Sequence, residues 1–196
     1  KDAHKLVEEF MLLANKRVAT LVSTKYKPYS IPYRLHEPPV PNKMMEFAAI
    51  ASRFGFQINT DSEDEYIQSI NAMTAEIEGT QASTILQPLA IRSMEKAFYT
   101  TKKSGHFGLG FDYYAHFTSP IRRYPDLLAH RHLFKMLDKV TPIDQSSLEA
   151  ACKWSSNREQ KAVEAERASI KYKQTEYISQ FIGEEFEGII TGITEW

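Results

Sequence analysis

The stretch His106-Phe107-Gly108-Leu109-Gly110-Phe111-Asp112-Tyr113-Tyr114-Ala115-His116-Phe117-Thr118-Ser119-Pro120-Ile121-Arg122-Arg123-Tyr124-Pro125-Asp126-Leu127 carries most of the information in this 196-residue chain. Its glycines allow close backbone approach, its aromatic side chains offer flat faces for stacking, and a helix start presents free N–H groups to a phosphate. Gly110 to Thr118 reads as a short aromatic strand, in which Tyr114 and His116 share one face and Tyr113 takes the other. Ser119-Pro120 has the form of a helix start, with serine as N-cap and proline at the first helical position. Arg122 and Arg123 then fall in the first turn, where a guanidinium fork and helix amides can grip the same phosphate oxygens. Adjacent helical residues diverge, so only one of the two arginines is expected to face a ligand. The structural alternative is a proline corner whose arginines pair with Asp126 and a neighbouring carboxylate. Pro125 implies a corner or a restarted helix that runs to about residue 138.

Charge is distributed unevenly around this stretch. Lys and Arg total 24 against 25 Asp and Glu, for a net charge of −1. Between Arg92 and Lys135, however, eight basic residues face only Glu95, Asp112 and Asp126. A basic segment in a near-neutral protein describes a local anion site, not a polycation, unless it is simply an ordinary solvated face. At 42% hydrophobic and 25% charged the chain can bury a core. No apolar run approaches the roughly 20 residues needed to span a bilayer, and Lys1-Asp2-Ala3-His4 is not a signal peptide. The single cysteine, Cys152, excludes an intrachain disulfide and a cysteine-built metal site, and suits a reducing compartment such as the cytoplasm. His130 and His132, two apart on a helix, make a poor metal pair.

Outward from the central stretch, periodicity predicts a helix over 3–24, with Leu6, Phe10, Leu13 and Leu21 along a mostly buried face. Five prolines between Tyr26 and Pro41 forbid a helix there and leave an extended segment over 29–35. A helix over about 42–54 stops at Gly55. The acidic run Asp61 to Glu65 opens another, striped by Tyr66, Ile67, Ile70, Met73 and Ile77. Residues 80–98 read as helical with Pro88 as a kink or break, and 102–110 as a loop. From Asp144 to about Ile182 neither Gly nor Pro interrupts a long polar helix with a thin apolar stripe. After Gly183 the period changes to that of a strand, 185–193. The fold class is α+β, predominantly helical, with a few strands.

The 106–127 stretch resembles the signature of the ribonuclease II/ribonuclease R family of 3′→5′ exoribonucleases. Val7-Glu8-Glu9-Phe10-Met11-Leu12-Leu13-Ala14-Asn15 and Tyr33-Arg34-Leu35-His36-Glu37-Pro38-Pro39 resemble two upstream elements of the same family, in family order. The Ser-Pro-Ile-Arg-Arg-Tyr-Pro form is nearer ribonuclease R. The resemblance implies that 1–182 correspond to the C-terminal half of the RNB catalytic domain, and that 183–196 begin a truncated OB-fold RNA-binding domain. It also implies hydrolysis of single-stranded RNA to nucleoside 5′-monophosphates with Mg²⁺ held by clustered aspartates, a sensible ligand set for a hard cation.

That cluster is missing from this sequence, whose seven aspartates, at 2, 61, 64, 112, 126, 138 and 144, are scattered. In the family the metal ligands lie upstream of the helix that opens this chain. The expectation is therefore a fragment, inactive alone, whose partners are single-stranded RNA and the N-terminal half of the same catalytic domain, with no metal ligands and no membrane. The resemblance makes Arg122 the arginine beside the scissile phosphate. Arg34, His36, Tyr114, His116, Ser119, Arg123 and Tyr124 become candidate RNA contacts. Glu166 falls near a glutamate that the ribonuclease II branch places beside the terminal nucleotide, although an i,i+4 helix salt bridge would equally explain it. Two rival readings are a non-catalytic RNA-binding protein on the same scaffold and a helical module whose basic stretch binds an acidic protein partner.

Overall fold

The computed structural model describes residues 2–27, 29–140, 144–188 and 190. The chain divides into two compact units: residues 1–37 with 96–180, and residues 38–95 with those after 180. Helix α1 spans Asp2–Lys25, β1 Tyr33–Leu35, α2 Pro41–Arg53, α3 Glu63–Glu76 and α4 Gln81–Ser93. They are followed by β2 at Phe98–Thr100, α5 at Tyr124–Leu137 and α6 at Gln145–Ile178. The chain is thus predominantly helical, with a small antiparallel sheet, as the sequence predicts.

In the smaller unit the sequence patterns translate directly. Ser62 caps α3 by accepting the Glu65 N–H at 3.3 Å, and Glu63, Asp64 and Glu65 occupy the positive end of the helix. The predicted stripe of Tyr66, Ile70, Met73 and Ile77 is buried against Met44, Phe47 and Ala51 from α2 and Leu86 and Ala90 from α4. Tyr66 Oη and Ser93 Oγ share a buried 2.9 Å hydrogen bond, which satisfies both hydroxyls inside that core. Helix α4 continues through Pro88.

In the larger unit, tertiary pairing overrides two local readings. The helix expected over 80–98 stops at Ser93, and Phe98 instead opens β2, Phe98–Thr100, paired antiparallel with β1 in the register Tyr33–Thr100, Arg34–Tyr99, Leu35–Phe98. Phe-Tyr-Thr is a good strand composition, and a ladder partner decides the matter. Residues 110–118 form no strand beyond an isolated bridge between His106 and Phe111. Their backbone groups are satisfied otherwise: the Arg34 N–H donates to the Tyr114 carbonyl at 2.8 Å, and the Phe117 N–H to Asn15 Oδ1 at 2.9 Å. The core gathers Ala19 and Val22 from α1, Ile31, Tyr33 and Ala115, and Ala129 and Met136 from α5.

Helix α1 is buried only in its second half, where other elements reach it. Leu6, Val7, Phe10 and Leu13 stand about half exposed, so the buried stripe predicted there is corrected to an open apolar face. Helix α6 is capped by Asp144, which accepts the Ser146 and Ser147 N–H groups and is held down to about 2 by the hydrogen bonds it receives, the Ser146 hydroxyl foremost. Its first turns are tied to β2. Glu149 accepts from Thr101 N–H and Oγ1 at 2.7 Å and from Thr100 Oγ1, and Ser156 Oγ accepts the Tyr99 N–H at 2.9 Å. From Gln160 onward α6 is exposed on every side, at about 1.5 Å of rise per residue. No described helix is long and apolar enough to cross a membrane. Residues 185–188 form no strand, and 189 and 191–193 of that expected strand lie outside the described residues.

Asn15 is the joint between α1 and the segment 114–117: its amide donates to Tyr114 Oη at 3.0 Å while its carbonyl takes the Phe117 N–H. Asn15→Ala strands both groups indoors. A loss of about 1–3 kcal/mol in urea unfolding is expected, with most of it retained as a defect in Asn15→Leu, which restores bulk but neither hydrogen bond.

Candidate nucleic-acid interface

The central motif folds as a corner, not as a helix start at Ser119. Residues 119–122 turn, closed by Arg122 and Arg123 N–H groups donating to the Ser119 carbonyl at 3.3 and 3.0 Å. Helix α5 begins only at Tyr124, with Arg123 as its N-cap residue and Pro125 in its first turn. Pro125 is accommodated because it falls in the first turn, where its missing N–H costs no intrahelical hydrogen bond. Free helix amides at Ser119-Pro120 are therefore not available. The Ser119 N–H instead donates to Asp126 Oδ2 at 2.8 Å.

Asp126 is fully buried and organises the corner. The same Oδ2 accepts from Arg123 Nη2 at 2.8 Å in an i,i+3 ion pair whose arginine side chain is 21% exposed. Arg123 is thereby committed to holding the turn. Arg122 is exposed and forms no ion pair or side-chain hydrogen bond among the described residues. Ile121 beside it is completely exposed. The two adjacent arginines thus take opposite roles, as helix-like divergence anticipated, although the turn is not a helix.

Three buried polar atoms at the corner, Thr118 Oγ1, Arg123 Nε and Asp126 Oδ1, lack a partner. Thr118 and Arg123 also line a cleft of about 300 Å³ with His4, Glu8 and Asn15 of α1 and with Tyr114. Unsatisfied buried polar groups beside an open cleft are a place where a ligand can complete the hydrogen bonding.

Behind the corner lies a layer of engaged side chains. Arg34 pairs with Glu159 Oε2 at 2.6 Å and stacks its guanidinium 4.6 Å from the Tyr99 ring centroid. Tyr99 Oη and His116 Nδ1 share a 2.8 Å hydrogen bond. His36 Nδ1 accepts the Gly108 N–H at 2.9 Å, and its ring lies 4.9 Å from that of His106. Tyr114 is buried, its hydroxyl bonded to Asn15 and its ring edge-on to His106 and His116. The ring therefore offers no open stacking face within this chain. Burial and the positive charges of Arg123, Arg34 and Arg122 hold His116 neutral, its pKa down at about 3; burial, His36 and Arg34 lower His106 to about 4. Burial pushes the Tyr99 phenol up to about 12. The two histidines are thus uncharged, and the arginine among them is matched by Glu159.

Tyr124 is 45% exposed and meets Trp154 of α6 edge-to-face. Glu166 stands far out on the exposed part of α6. The i,i+4 salt bridge considered for it does not form, because the positions four away are Ala162 and Ile170. Of the predicted contacts, the structure gathers Arg34, Tyr114, His116, Ser119, Arg122, Arg123 and Tyr124 near one corner, sets His36 behind them against His106 and Gly108, and leaves Glu166 apart. Sequence reading missed Asn15, Tyr99 and Glu159 as supports. Glu159 carried a faint signal, being one of many charges on a polar helix; its pairing across 125 residues carried none. Among the described residues no three His, Cys, Asp or Glu side chains come together to hold a metal ion.

The profile of the RNB domain matches residues 1–139. The chain belongs to the RNB-domain family. Ribonuclease R 1 of Lactococcus lactis is 38% identical over 199 residues, covering 99% of this chain and 24% of that protein. Ribonuclease R of Aquifex aeolicus is 39% identical over 197 residues, covering 97% and 27%. The chain spans about a quarter of the length of these curated relatives. Among solved structures, Mycoplasma genitalium RNase R in complex with ribose-methylated single-stranded RNA superposes with a TM-score of 0.85 at 30% identity, covering 98% of this chain and 31% of that one. Yeast Ssd1, a pseudonuclease, matches with a TM-score of 0.66 at 26% identity over 76% of this chain and 19% of its own. The family match thus takes in the corner residues, 119–126, within its span.

Removing a buried partner and removing a surface arginine should separate the two halves of the corner. Asp126→Ala is expected to cost about 3–5 kcal/mol in urea unfolding, because it leaves Arg123 and the Ser119 N–H uncompensated, whereas Arg122→Ala stays within about 0.5 kcal/mol of the parent. The depressed histidines set a pH dependence. They bind protons in the unfolded chain near pH 6.5 but in the folded chain only near pH 3–4, so stability holds above pH 6.5 and falls as pH drops through that window. His116→Asn should flatten this slope in unfolding curves collected from pH 7 to 4.5.

Proposed function

We propose that this chain supplies the phosphate-gripping, RNA-lining part of a 3′→5′ exoribonuclease that hydrolyses single-stranded RNA to nucleoside 5′-monophosphates. The observation that carries the reading is the asymmetry at the corner: Arg123 is locked to buried Asp126, which leaves Arg122 exposed and unpaired beside it. A guanidinium held at a rigid turn is suited to bind the phosphate next to the scissile bond and to stabilise the charge that develops there. Arg34 and Arg123 are each paired with a carboxylate behind it, while neutral His116 and the Gly108 N–H bond to His36 fix the supporting loop. Ser119 fixes the turn through its backbone, and Tyr124 borders the same surface. Family membership and the likeness to an RNase R bound to single-stranded RNA support this assignment.

Mg²⁺ is the metal such an enzyme would use, but the carboxylates in hand do not suit it. The acidic run Asp61 to Glu65 lies at the N-terminus of α3, and Asp126 is spent on the corner. In this proposal the metal-holding carboxylates come from polypeptide other than residues 1–196, and residues 183–196 begin an OB-fold RNA-binding domain. Yeast Ssd1, a pseudonuclease on this fold, favours a second reading specifically, RNA binding without hydrolysis.

Labelled single-stranded RNA incubated with the chain and Mg²⁺ should remain full length; shortening to mononucleotides would overturn the division of labour. In the whole parent protein, Arg122→Ala should lower turnover by roughly a hundredfold or more while changing RNA affinity only a few-fold. A parent protein that binds RNA and never shortens it would establish the second reading.

A further inference from the structure

Helix α6 carries a tryptophan that the fold does not bury. Trp154 is 53% exposed, and its ring meets that of Tyr124 edge-to-face, at 6.3 Å between centroids and 80° between planes. Tyr124, Ala151 and Trp154 line an open concavity of about 520 Å³. The Arg158 guanidinium lies 5.2 Å from the Trp154 ring centroid. Residues 154, 158 and 161 follow helical spacing along one face, so Lys161 extends the cationic edge beyond Arg158. Arg122 precedes Tyr124 by two residues, at most about 7 Å along the backbone. Arg122, Arg158 and Lys161 form no ion pair among the described residues.

Two exposed aromatic rings around a concavity, with Arg158 over one ring and two further cations without ion-pair partners close by in sequence or on the same helix face, suit one chemistry. The occupant is planar and aromatic and is bonded to an anion. An apolar protein segment would use the rings but would leave the cations without partners, and an acidic peptide would pair the cations but leave the rings wet. A nucleotide uses both.

We propose that Tyr124 and Trp154 form a stacking site for one nucleobase of single-stranded RNA, flanked by Arg158 and Lys161. It belongs to a nucleotide adjoining the phosphate at Arg122, and so rests on the RNA-binding reading above. Because every base has a π-face, the site accepts any base and adds affinity without sequence preference.

Trp154 reports on its own occupancy. Trp154 and Trp196 are the two tryptophans of the chain, so a Trp196→Phe background isolates the signal of Trp154. An eight-nucleotide oligoadenylate is compared with an abasic ribose-phosphate oligomer of equal length, with binding followed in parallel by anisotropy at about 50 and 200 mM salt. Oligoadenylate is expected to quench Trp154 fluorescence and the abasic oligomer to leave it unchanged. Trp154→Ala should weaken oligoadenylate binding about tenfold, with Trp154→Phe restoring most of it and neither affecting the abasic oligomer. Salt-dependent binding of oligoadenylate with Trp154 unquenched, or equal quenching by both oligomers, overturns the stacking site and leaves the Arg122 reading standing. Absence of salt-dependent binding to the unsubstituted chain overturns both.

Discussion

One buried carboxylate holds the corner in place. Asp126 accepts the Ser119 N–H and the Arg123 guanidinium on the same oxygen, with no exposure to solvent. A charge in that position is tolerable only because a cation and a backbone dipole are fixed against it. The constraint works in the other direction as well. Arg123 cannot leave without abandoning a buried anion, so the turn is held and the neighbouring residue is left outside. Arg122 owes its freedom to a bond that it does not make.

The support beneath the corner combines neutral histidines with a few carboxylates held by hydrogen bonds or an ion pair. His116 and His106 sit among arginines and are kept uncharged by burial and by those arginines, so they add contact without adding repulsion. Tyr99 ties His116 to β2, Glu149 and Ser156 tie β2 to α6, and Asn15 ties the Tyr114–Phe117 segment to α1. Positive charge that is not neutralised within the fold is thereby pushed to the surface, where Arg122, Arg158 and Lys161 stand.

Several elements were legible because their signal is local. The Asp61–Glu65 run is a helix N-terminus by charge and capping alone, and the stripe of Tyr66, Ile70 and Met73 names its own buried face. The proline-rich segment before β1 could only be extended. Others were not legible. Whether Phe98-Tyr99-Thr100 continues a helix or forms a strand depends on Tyr33–Leu35, more than sixty residues away. The aromatic run 110–118 has the composition of a strand but only an isolated bridge at Phe111 and one backbone bond from Arg34, and the Phe117 N–H goes to an asparagine side chain.

The order of residues by itself determined the helical character of the chain and the family of the central motif. Which arginine is free was decided only in three dimensions, because that depends on where Asp126 is carried by the turn of α5 and on its burial there. The tertiary structure likewise decided that Arg34 answers Glu159 and that Tyr114 lies inside, while Trp154 stays open beside Tyr124. Periodicity and composition report what a residue prefers along its own segment. A buried charge or an exposed ring is settled by what arrives from elsewhere in the chain.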